Sequence, residues 1–137
     1  MSLYSFFSGA WCAVLWFFTF GVARNLFGIF PSERAGEVTT ALFPAYFAVA
    51  IILGVLTTAA LWPHRKLGRR ISSALLLQIL AIAALASIPL FIQPAMATNP
   101  PGTPGFARLH GISMALNLFS LLAAPAASLL ALARRKE

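Results

Sequence analysis

Four long runs without a charged residue decide what this chain can become. Leu3 to Ala23 is uncharged and dense in Phe, Trp, Leu and Val, and Val38 to Pro63 is uncharged until Arg65, Lys66, Arg69 and Arg70 follow it. A third apolar run starts near Ile71, and a fourth extends from about Leu109 to Ala133 before Arg134-Arg135-Lys136. Each has about the 20 apolar residues that a helix needs to cross a hydrocarbon core ~30 Å thick. A closed β-barrel is the other way to cross with every backbone group satisfied, but its strands alternate apolar and polar residues, and these runs do not. The sequence therefore predicts an all-α polytopic membrane protein, a single four-transmembrane-helix bundle with spans at about residues 3–23, 38–62, 71–92 and 109–133.

Composition removes the alternatives. Hydrophobic residues make up 60% and charged residues 9%, against about 25% charged in soluble domains. Four spans use most of the 137 residues and leave no room for a separate catalytic domain. The single Cys12 excludes an internal disulfide and any multi-cysteine metal or iron–sulfur site. Gly21 and Ala23 have the small-residue spacing of a signal-peptide cleavage site, but no Lys or Arg precedes the first run, so it is read as a span.

The connections are predicted from their breakers and charges. Pro89 and Pro94 should end the third helix, and Thr98 to Gly105 reads as an irregular loop. The apolar connection Arg24 to Pro31 should lie in the membrane interface, with Ser32 capping an extension of the second span favoured by Pro31, Glu33 and Glu37. Basic residues concentrate between spans two and three and after span four, so the positive-inside rule puts both termini and the middle turn in the cytoplasm. The net charge of +7 then reads as a topology signal with attraction to anionic headgroups, and not as a nucleic-acid surface.

An ionisable residue inside a span is a functional signal because burying its charge in lipid is costly. No acidic residue lies between Val38 and Ala107 or in spans one and four, which argues against a proton-coupled transporter with a midplane carboxylate. The most polar surface is on span four, where His110, Ser113, Asn117 and Ser120 recur at three- and four-residue steps and share a face. Either these side chains bond to neighbouring helices, contacts worth roughly 0.6 to 2 kcal/mol in membranes, or they line an outward-facing pocket. Arg108 and Glu37, with Arg24 and Arg34, are expected to gather near His110 as a charge cluster or the rim of a site. His110 and Met114 make a weak soft-metal pair. His64 belongs to the basic turn, about 30 Å of membrane away, which excludes a bis-histidine haem within one chain. No cofactor is implied.

The expected role is a small integral membrane protein without enzymatic activity, a structural or accessory subunit packing against other membrane subunits or copies of itself. The alternative is a small transporter or resistance factor using the polar face of span four.

Several stretches carry a family resemblance: Phe27 to Phe30 with Glu33-Arg34-Ala35-Gly36-Glu37, Leu42 to Phe47, and Phe106 to Ser113 with Asn117. In order and spacing the chain resembles the transmembrane protein 205-like family, whose bacterial members carry a domain of unknown function. The most specific part is Leu-His-Gly-x-Ser-x-x-x-Asn at Leu109 to Asn117. The resemblance implies a small polytopic membrane protein without an established enzymatic activity, whose vertebrate relative is associated with resistance to platinum drugs. The chain differs from that pattern at Arg24-Asn25, where a small residue and proline are expected, and in having no cysteine pair facing the membrane interior.

Overall fold

In the computed structural model, which describes residues 1–133, the apolar runs become four helices, each long and apolar enough to cross a membrane. They are α1 (Ser2–Ile29), α2 (Ser32–Leu67), α3 (Arg69–Ala97) and α4 (Pro104–Leu132). Their order around the bundle is that of the sequence: α1 packs on α2 and α4, and α3 packs on α2 and α4. The basic residues following α4 lie outside the described residues.

Breakers set the ends, and most ends lie beyond the expected spans. α1 continues past Ala23 because nothing in Arg24–Ile29 stops a helix; the turn comes at Phe30-Pro31, where the backbone becomes extended. The Arg24 to Pro31 connection is therefore mostly helix. Ser32 is the first helical residue and makes no capping bond, so Pro31, not Ser32, occupies the capping position. α4 begins at Pro104, several residues before Leu109, because Thr103 accepts a hydrogen bond from the Phe106 amide (3.3 Å) and proline suits the first helical position. α2 closes in a 3₁₀ turn, Trp62–Leu67, that ends at Gly68, whose φ of 126° is a conformation essentially confined to glycine. Arg65 lies over the Trp62 ring at 5.1 Å in this turn.

Pro89 does not end α3. The chain passes through a π-helical segment, Ile88–Ile92, and continues as α-helix to Ala97. The bonding change compensates locally: the Ile88 amide reaches back only to the Leu85 carbonyl, and the Ser87 hydroxyl donates to the Ala84 carbonyl at 2.7 Å. Pro94 falls in the first turn of the segment that follows, where a missing amide hydrogen matters least. α1 has a π-helical segment too, Phe17–Ala23.

The core is concentrated toward the basic turn. α1 buries Tyr4, Ser8, Trp11 and Leu15, and nothing beyond; α3 buries Ala74 to Ile88, and nothing beyond; α4 buries only Ser120 and later residues. Small residues bring the helices together there. Ala74, Ala81 and Ala84 of α3 and Ala123, Ala124, Ala127 and Ala131 of α4 are buried, and Gly54 of α2 receives the Trp11 ring. A Cβ on Gly54 would lie 2.9 Å from Trp11 Cζ2 and 2.8 Å from Ile82 Cγ1.

Several polar groups in this half pair across helices, while Trp11 Nε1 and Gln78 Oε1 are buried without a hydrogen-bond partner among the described residues. Gln78 Nε2 donates to the Tyr4 hydroxyl (2.9 Å), which donates to the Ala127 carbonyl (3.4 Å); the Ser8 and Ser128 hydroxyls share a hydrogen bond. Pro125 has no amide hydrogen to give to the Leu121 carbonyl four residues earlier. The Trp16 indole of α1 supplies the missing donor, Nε1 to Leu121 O at 3.2 Å.

Candidate functional site: an aromatic vestibule at the far end of the bundle

At the end away from the basic turn, the four helices surround space. α1 is widened into its π segment, α2 carries Pro44, and α3 is irregular from Ile88, so these three walls change course at related levels. Two cavity lobes result, both walled by Phe43, His110 and Ser113. One, of about 450 Å³, lies among α1, α2 and α4 and is lined by Phe18, Arg24, Phe27, Tyr46 and Asn117, among others. The other, of about 550 Å³, lies between α2, α3 and α4 and is lined by Thr40, Gln93, Met96, Asn99 and Phe106, among others. Both volumes fall in the ~300–1,000 Å³ range of small-molecule sites.

Each lobe has a side facing out of the bundle. Phe20, Met114 and Leu118 border the smaller lobe, and Thr40, Pro44 and Ala97 the larger; all are exposed. In a helix bundle of this polarity such sides face lipid.

Asn117 ties the base of the vestibule. The Tyr46 hydroxyl donates to Asn117 Oδ1 at 2.7 Å, and Asn117 Nδ2 donates to Thr19 Oγ1 at 3.2 Å, which joins α2, α4 and α1. The Phe18 ring stacks on Tyr46 with centroids 4.0 Å apart and planes within 13°. Beneath this tie, the Ser120 hydroxyl donates to the Ala81 carbonyl of α3 at 3.1 Å. Asn117 and Ser120 therefore bond to neighbouring helices, while His110 and Ser113 make no side-chain hydrogen bond with the described residues. The His110 ring is exposed and lies parallel to Phe106, with centroids 6.1 Å apart.

Of the side chains singled out in the sequence, His110, Ser113 and Asn117 line the same lobe. Arg108 is exposed and lines neither lobe; Glu37 accepts a hydrogen bond from Arg34 at 2.8 Å, one turn apart on α2, and lines neither lobe. Arg24 joins His110 in the smaller lobe. Among the described residues no group of three or more His, Cys, Asp or Glu is placed to hold a metal ion. Sequence reasoning missed Tyr46, Phe18 and Phe43. Tyr46 had a usable signal, because a phenol inside an apolar span needs a hydrogen-bond partner; the phenylalanines had none, since phenylalanine is spread through the spans.

The molecule is thus a multi-pass helical membrane protein with a closed end and an end hollowed by aromatic walls. Its sequence matches, over residues 6–99, the family described as a domain of unknown function (DUF4149), and the chain belongs to that family. An uncharacterized protein of Aquifex aeolicus (strain VF5) is 33% identical over 123 residues, covering 89% of this chain and 86% of that protein. No solved structure matches.

Proposed function

We propose that this is a small multi-pass protein of the cytoplasmic membrane, without catalytic groups of its own, that takes up a lipid-borne amphipathic molecule in the vestibule. The observation that carries the reading is the shared wall of Phe43, His110 and Ser113 between two lobes, each bordered by exposed apolar residues. A ligand already dissolved in the bilayer enters from the side, its apolar part against Phe18, Phe43 and Phe106 and its polar part toward His110 and Ser113. This keeps the polar face of α4 as the working surface, and makes Asn117 the tie that holds the walls in place. The finer kinship to the transmembrane protein 205-like family is proposed on the Leu109 to Asn117 pattern alone, which lies outside the matched residues 6–99.

The test is photolabelling of the purified protein with a diazirine-bearing long-chain probe, followed by peptide mapping. Label is expected on the segments around Phe18 to Phe27 and His110 to Leu121, and Ser113→Trp, which fills the shared wall, should remove most of it. Equal labelling of that variant, still monodisperse, overturns the reading. The inward placement of both termini rests on the positive-inside rule; cysteine-accessibility mapping in spheroplasts checks it, and an externally labelled basic turn reverses it.

A second reading, an accessory or self-associating subunit, is favoured by a lipid-facing groove between α2 and α3 lined by Val55, Thr58, Ala59, Ile79, Ile82 and Ala83. Small residues there permit close approach of another helix. Cross-linking through Ala59→Cys in native membranes should then give a discrete dimer or a defined heterologous adduct, and a monomer throughout counts against it.

A further inference from the structure

We propose that the ligand of the vestibule carries an anionic head, a carboxylate or a phosphate on an apolar chain, and that Arg24 is its counter-ion. The proposal rests on the vestibule being a binding site and adds the chemical class that it selects.

Three observations carry it. Arg24 lines the smaller lobe beside Phe27 and Ala23, and no acidic residue lines either lobe. The described acidic residues are Glu33 and Glu37, and the Arg34–Glu37 contact is the only ion pair among the described residues. Arg24 therefore stands at the lobe with no ion-pair partner among the described residues. His110 and Ser113 make no side-chain hydrogen bond with the described residues and offer an N–H and an O–H that acceptor oxygens of a ligand can take.

The physical argument is one of matching. Arg24 is exposed at the border of an apolar cavity, and its fork of donors can meet two oxygens of an anion at once. An aromatic lobe alone could also receive a quaternary ammonium through cation–π attraction. Arg24 opposes that choice, since like charges repel. Aromatic walls then hold the chain while the guanidinium holds the head, at the depth where α1 emerges from its π segment.

The experiment compares photoactivatable probes of equal chain length on the full-length purified protein: a fatty acid, a fatty alcohol, an alkyl trimethylammonium and a phosphatidylglycerol. The acid is expected to label the vestibule peptides about tenfold more efficiently than the alcohol. Arg24→Gln should remove this preference and leave alcohol labelling intact, Arg24→Lys should restore part of it, and Arg108→Gln, a cation outside both lobes, should leave it unchanged. Phosphatidylglycerol labelling as strong as the acid assigns the head to a bilayer phospholipid, and labelling by the acid alone assigns it to a free carboxylate; each supports the anionic class. Acid and alcohol labelling equally, with Arg24→Gln inert, overturns the anionic class while the vestibule stands, and a preference for the ammonium does the same. Labelling confined to surfaces outside the vestibule by every probe overturns the underlying site.

Discussion

Toward the basic turn, α3 and α4 meet through alanines, Gly54 admits the Trp11 ring, and each polar group that joins helices does so over a short reach. At the opposite end the same four helices present phenylalanine, proline and π-helical turns, and the walls separate around Phe43 and His110. Overall apolarity does not distinguish the halves. The fit of the side chains facing inward does: toward the basic turn, alanines and Gly54 receive the large Trp11, Tyr4 and Leu15 of neighbouring helices, and dispersion contacts draw the helices together. At the other end the backbone is widened, the helices stand apart and a ligand-sized space remains.

This contrast can be broken by mutation. The largest effect belongs to the packed half. Gly54→Ala forces Trp11 and Ile82 to move and should cost about 1–3 kcal/mol, read as a lowered thermal midpoint in detergent. Gly111→Ala, in the open half, meets nothing within 4 Å and should be neutral or gain up to ~1 kcal/mol of helix propensity. Equal losses at the two sites would mean that the far end is as closely packed as the near one.

A middle-sized effect is expected at the base of the vestibule. Asn117→Leu strands the Tyr46 hydroxyl and releases Thr19, and should cost up to ~2 kcal/mol. Ser113→Ala, four residues away on the same face, removes no bond to the protein and should leave the midpoint unchanged. A Ser113→Ala loss matching that of Asn117→Leu would make the whole face a packing surface.

The smallest effect sharpens the comparison. Trp16→Phe removes the donor to the Leu121 carbonyl and should cost about 0.6 kcal/mol, the average for hydrogen bonds between membrane helices. Pro125→Ala restores an amide hydrogen to α4, so in the Pro125→Ala background the Trp16→Phe penalty should vanish. A double-mutant cycle in thermal unfolding measures this coupling, and additive losses would refute it.

The architecture was legible because charge punctuates the chain. Arg65 to Arg70 separate the second and third runs so sharply that the four-helix count follows from the sequence. The boundaries were less so. Pro89 and Pro94 read as breakers under a rule about a single α-helix, and that rule has no place for a π turn in which Ser87 and Ile88 rearrange the bonding. Arg24 to Ile29 read as a loop because Arg24 ends the uncharged run, although nothing there opposes a helix. At the site, the three- and four-residue steps of His110, Ser113 and Asn117 carried real information, since a polar face stands out on an apolar helix. Their partners did not: Phe18 and Phe43 look like any lipid-facing phenylalanine, and Arg24, expected in a rim with Glu37 and Arg108, lines a lobe without them because α1 continues beyond Ala23. The hollow between the walls is a tertiary property with no local signature.

The Trp16 contact with the Leu121 carbonyl reaches beyond packing. Pro125 leaves a gap in the ladder of α4, and a side chain of α1 fills it. Docking of α1 against α4 therefore completes the backbone of α4 as well as covering its face, so the two helices depend on one another for more than packing.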